Sequence, residues 1–189
     1  MSEQSDAVAP RIPTKALLVC AAFAAVQVLI FVLVVPVSTA AAVASPPLYA
    51  FIAGVHSLMP FLARLVTGVR GSATITAVAT GVIASTVTPI GVLVIVPMAV
   101  AGVLFDAVLW PASGKARSPH AGRTVGAAAT AGVGLFLVSL PVFSAEHLTA
   151  GVLILTLVGR LAGEVGAALL ALLITRRLAR TGVTRTFHR

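Results

Sequence analysis

Acid is what this chain has least of. Its 189 residues hold 5 Asp or Glu against 13 Lys or Arg, and charged residues of both signs make up only 10%. A soluble domain usually carries about 25%, so this chain cannot cover a water-facing surface with charge. Cysteine is almost absent. The single Cys20 excludes an internal disulfide framework, a CxxC redox pair and a cysteine-based zinc site. The small supply of His, Cys, Met and acid ligands argues against metal binding or metal transport. No GxxxxGK[ST] loop occurs, and Gly114-Lys115 lacks the upstream glycines, so no ATPase is expected within the chain. HExxH, GxSxG and paired histidines are also missing, which disfavours an enzyme. No cofactor is expected.

What is present is apolar. Hydrophobic residues make up 59% and mean hydropathy is +1.09. Disorder is excluded at that hydrophobicity. Short basic clusters alternate with apolar runs of about 20 residues, the length that spans a bilayer as a helix. The net charge of +8 therefore reads as a membrane pattern rather than a nucleic-acid footprint.

The expected fold is an all-α integral membrane protein with six transmembrane helices and both termini cytoplasmic. Residues 1–14 read as a disordered cytoplasmic tail, 15–178 as the six-helix domain and 179–189 as a basic cytoplasmic tail. No cleavable signal peptide is expected, because the first apolar run starts late and is too long for an h-region. The spans are expected at about 15–37, 48–66, 73–87, 90–110, 124–143 and 149–178. Residues 38–47 read as a loop closed by Pro46-Pro47. The third span is short and threonine-rich, so spans three and four also fit a tilted hairpin.

Charge placement supports this count. With the N-terminus inside, every Lys and Arg except Arg160 falls on the cytoplasmic side, including Arg64, Arg70, Arg123, Arg176, Arg177 and Arg180. The outer loops hold only Glu146 and His147 as ionisable residues. Arg64 thus reads as a topology anchor, and Trp110 as an aromatic anchor at the inner interface. The expected location is a prokaryotic plasma membrane. No period of 20–50 residues and no inverted repeat is visible.

Inside the spans lie His56, Asp106, Arg160 and Glu164. A charge at the bilayer centre costs about 2.5–3.5 kcal/mol, so such groups face the protein interior and find partners. Asp106 and Glu164 are expected at similar depth in the inner half. Arg160 and Glu164, four apart, share a helix face. They read either as a buried cluster in which Arg160 neutralises one or both acids, or as contacts to a polar substrate between helices. His56, midway down the second span, is either a bonded core histidine or a group that stacks on a heterocycle. Tyr49 lies near the outer end of that span, as interface anchor or ring platform. Small residues four apart, Ala21 and Ala25, Gly122 and Gly126, and Gly159 and Gly163, let helices approach closely. The spacing reads either as ordinary internal packing or, at Ala21 and Ala25 on the first span, as a face offered to another membrane protein.

These features together resemble the S components of energy-coupling factor (ECF) transporters. The stretch 62–74, LARLVTGVRGSAT, is similar to the "LxxxxxRkPGaA" segment of the YkoE-like family, with Gly71 following Arg70 directly where that pattern has a proline. Residues 100–106, VAGVLFD, resemble the family's "GxxxEl/Dl" stretch. The resemblance implies a high-affinity substrate-binding subunit for thiamine or its hydroxymethylpyrimidine precursor. It implies an outer-facing pocket capped by residues 38–47, with Tyr49, His56, Glu146, Arg160 and Glu164 as substrate-binding candidates. It also implies partners: a scaffold membrane subunit docking on Ala21 and Ala25, and two cytoplasmic ATPases that drive toppling and inward release. A small proton-coupled transporter using Asp106 and Glu164, and a structural subunit without ligand, are the alternative readings.

Overall fold

A computed structural model describes residues 12–88, 90–109, 121–144 and 148–180. The described residues form helices α1 (Thr14–Ala44), α2 (Pro46–Ala53), α3 (Leu58–Thr67), α4 (Ser72–Ala84), α5 (Ile95–Val108), α6 (Ala121–Ser139) and α7 (Ala150–Arg180). Short 3-10 turns lead from α2 to α3 at Gly54–Ser57, precede α5 at Gly91–Val94 and follow α6 at Leu140–Val142. Five helical stretches are long and apolar enough to cross a membrane: Thr14–Ala44, Pro46–Thr67, Gly91–Val108, Ala121–Ser139 and Ala150–Arg180. The expected third span is present as α4, but its 13 residues reach only about 20 Å at 1.5 Å per residue.

The expected loop at 38–47 is overturned. α1 continues through it to Ala44, and only Ser45 separates α1 from α2. The cause is local chemistry. Ser38, Thr39, the alanines and Val43 sustain a helix once Pro36 is passed, since alanine has the highest helix propensity. The Ser38 and Thr39 hydroxyls both donate to the Val35 carbonyl. Pro46 and Pro47 then sit in the first turn of α2, where a missing N–H costs nothing.

The second span is bent in its middle for a similar reason. Pro60 cannot donate to the carbonyl four residues back, at His56. The chain takes a 3-10 turn there. Gln27 of α1, fully buried, supports the break by accepting from the Met59 N–H at 3.1 Å. The turn carries His56 and Ser57 towards the bundle interior.

α1 presents an apolar outer face, with Leu33 77% exposed, as a helix facing lipid does. The tail end of the bundle, where α1 begins and α7 ends, holds the main core. Phe61 and Phe105 stack there at 3.8 Å between ring centroids, among Leu58, Leu62, Leu65, Ala127, Ala131 and Ala168. A smaller cluster around Phe31, Ala77, Val94 and Met98 lies towards the opposite end.

Gly159 and Gly163 pack inside this bundle, against α2. A methyl added to Gly159 would stand 2.5 Å from the Pro47 carbonyl oxygen, and one added to Gly163 would run into the Phe51 carbonyl. Side-chain-free contact lets α2 and α7 touch backbone to backbone. Ala21 and Ala25, by contrast, are exposed on α1.

Candidate functional site

A cavity of about 510 Å³ opens between the helices at the end opposite the tails. α1 supplies Phe31, Val35, Ser38, Thr39 and Ala42, which share one helical face. The second span supplies Pro46, Tyr49, Ala53, His56 and Ser57, and α5 supplies Pro97, Met98 and Ala101. Thr88, Ile90 and Ser144 stand at helix ends around it. Arg160 of α7 enters from the side. The volume suits a ring compound of vitamin size, since ligand pockets run about 300–1,000 Å³.

Three of the sequence candidates meet in this cavity. The Arg160 guanidinium lies 5.8 Å from the centre of the Tyr49 ring, in cation–π range. His56 stacks at a tilt on Phe31, with centroids 4.8 Å apart and planes at 44°. The Nδ1 atom of His56 and the Nε of Arg160 are buried without a hydrogen-bond partner among the described residues. Arg160 is 7% exposed and makes no salt bridge to a described carboxylate.

Glu164 sits one turn further along α7, outside the lining of the cavity. It is fully buried. Its Cγ packs near Gly132 of α6. The Ser57 hydroxyl approaches it and the charge of Arg160 acts on it, but no hydrogen bond of good geometry reaches either carboxylate oxygen from the described residues. Such orphaned atoms are rare in native structures and mark places where something else completes the bonding. Glu146 lies outside the described residues.

Asp106 is elsewhere. The expectation that it shares the counter-ion Arg160 with Glu164 is corrected by the geometry. Its partner is Arg64, not Arg160. The Arg64 Nε lies 3.1 Å from the Asp106 Oδ1. The other oxygen, Oδ2, accepts from both the N–H and the hydroxyl of Thr74 at 2.8 Å. Arg64 also donates to the Leu109 carbonyl. Arg64 is only 5% exposed, so it is a buried clasp between α3, α4 and α5 rather than a surface anchor. The tight turn between α3 and α4 brings Arg64 near Thr74, with Gly68 and Gly71 at φ 66° and 81°.

Sequence reasoning missed Arg64 as a buried partner, and it missed the α1 wall. Phe31, Val35, Ser38 and Ala42 recur at helical spacing, which was the available signal; assigning 38–47 to a loop concealed it. Ser57 was also missed, because its inward direction depends on the 3-10 turn.

No protein-family profile matches the sequence, and no curated protein matches it. A solved structure does match. An S-component of an ECF transporter superposes with a TM-score of 0.81 at 24% sequence identity, covering 93% of this chain and 90% of that one. At that identity the likeness establishes the fold: an all-helical membrane bundle of the S-component type.

Proposed function

We propose that this chain is the substrate-binding membrane subunit of an ECF-type importer. The observation that carries the reading is the cavity itself. A fold of the S-component type encloses about 510 Å³ at one end, walled by Phe31, Tyr49, His56 and Arg160, while the other end is closed by a bonded clasp. Aromatic faces with a few unsatisfied polar atoms are what a small heterocycle needs.

In this reading the tails are cytoplasmic, following the basic residues, and the cavity opens outward from a prokaryotic plasma membrane. Thiamine or its hydroxymethylpyrimidine precursor is the substrate implied by the sequence resemblance, with its pyrimidine ring lying against Tyr49 and the Phe31–His56 pair. Glu164, one turn beyond Arg160, supports the site from outside the cavity lining. The exposed Ala21–Ala25 face of α1 docks on a scaffold membrane subunit that carries two cytoplasmic ATPases.

Co-expression with such a scaffold and its ATPases tests the assembly. The chain should co-purify with them, and Ala21→Trp should abolish the association by holding the helices apart. Uptake that persists without any ATPase, driven by a proton gradient, would replace this reading with the proton-coupled one.

A further inference from the structure

The cavity has one formal charge on its described wall, and it is positive. Arg160 is more than nine-tenths buried, its Nε has no hydrogen-bond partner among the described residues, and it lines the open space. No described carboxylate is within salt-bridge reach of it. The remaining polar groups on the described wall are neutral hydroxyls, from Ser38, Thr39, Tyr49, Ser57, Thr88 and Ser144, together with the His56 imidazole. Glu164 does not line the cavity. A cation in this space would stand against a buried guanidinium. An anion would give that guanidinium the charge-assisted bonds it lacks, in the planar forked geometry that Arg offers to carboxylate and phosphate.

We infer that the cavity takes its ligand by an anionic group held at Arg160, a carboxylate or a phosphate ester on a flat ring compound whose ring lies against Tyr49 and the Phe31–His56 pair. The inference rests on the binding-subunit reading above and narrows it. Among pyrimidines, a phosphorylated precursor is preferred to the neutral alcohol, and both to the thiamine cation. The Tyr49 ring face, which Arg160 now covers at 5.8 Å, becomes available to the ligand ring as the guanidinium turns to the anion. Delocalised carboxylate and phosphate share this chemistry, and matched probes separate them.

Titration calorimetry on the detergent-purified full chain tests it with two matched pairs. Hydroxymethylpyrimidine is compared with its phosphate ester, and nicotinamide with nicotinate. The anionic member of at least one pair should bind about tenfold tighter, which corresponds to about 1.4 kcal/mol; the pair that shows the difference identifies the anion. Arg160→Gln should bring that affinity ratio close to one, and Arg160→Lys should restore most of it. A thermal melt of each variant separates lost charge from lost fold. Equal binding within both pairs, tighter binding of thiamine than of any anion, or a ratio that survives Arg160→Gln overturns the inference. A mass spectrum of the untreated protein separates the two levels. A co-purified cation overturns the anion assignment and leaves the binding-subunit reading standing. A co-purified anion supports both.

Discussion

Arg64 and Arg160 are buried to nearly the same degree in one bundle, 5% and 7% exposed, but their surroundings differ. Arg64 touches Asp106 at 3.1 Å, and Asp106 is completed by two bonds from Thr74. Arg160 has a carboxylate one turn away on its own helix, and the two do not meet. The Arg64 set closes the tail end, where the packed Phe61–Phe105 stack adjoins it. The Arg160 set borders open space. The Arg64–Asp106 pair is in ion-pair contact and buttressed by Thr74, as a structural cluster is; Arg160 touches no described carboxylate and borders a cavity, which is where a ligand can complete the bonding. Composition alone cannot separate the two, because both consist of one arginine and one acid.

The comparison breaks most visibly at the clasp. Arg64→Ala leaves Asp106 buried without its counter-ion, and losing one partner of a buried pair costs about 3–5 kcal/mol. A large fall in detergent melting temperature is the expected outcome, and replacing both partners with leucine should recover much of it, because a well-packed apolar pair often equals a buried ion pair. Recovery would show that the clasp is structural; a double variant that folds but no longer binds ligand would show instead that the two ends are coupled.

Next in size is the α2–α7 seam. Gly163→Val pushes a branched side chain into the Phe51 carbonyl and should cost about 1–3 kcal/mol, the usual range for overpacking. Gly166, which has open space at its Cβ position, is the control: Gly166→Ala should leave the melting temperature unchanged or raise it slightly, because alanine favours the helix by about 1 kcal/mol.

At the cavity end the effects on stability should be small and those on ligand large. Glu164→Gln keeps the shape of the side chain and an acceptor oxygen for the Ser57 hydroxyl, so the melting temperature of the ligand-free protein should move by less than about 1 kcal/mol equivalent. A loss as large as that of Arg64→Ala would place Glu164 in a second clasp and erase the contrast. Tyr49→Leu is the mildest. It removes the ring under Arg160, worth about 0.5–1 kcal/mol, and should weaken a ring ligand several-fold in calorimetry.

Much of this architecture was legible from hydropathy. The apolar runs located four of the five spanning stretches to within about four residues, and the start of the first, whose end lies seven residues beyond the expected one, because lipid-facing helices must be apolar nearly all round. The breaks were harder. The proline pair at 46 and 47 read as a loop signal, but a proline in the first turn of a helix starts it, and that rule depends on where the helix begins. Tyr49, His56 and Arg160 were chosen as rare polar groups in apolar spans, and they do face one cavity. Asp106 was chosen by the same reasoning and given the wrong partner, since Arg64 is 42 positions away in sequence and looked like an anchor. Pairing across helices has no local sequence signal. The GxxxG-like spacing of Gly159 and Gly163 was informative about close approach but silent on the partner, which proves to be α2.

The most direct test is a mass spectrum of small molecules carried by the purified chain and by Ala53→Phe, a variant that fills the cavity from its wall. The wild-type chain should release a ring compound, and the variant, melting normally, should release none. The same compound recovered in equal amount from both would contradict the assignment of this cavity as the ligand site.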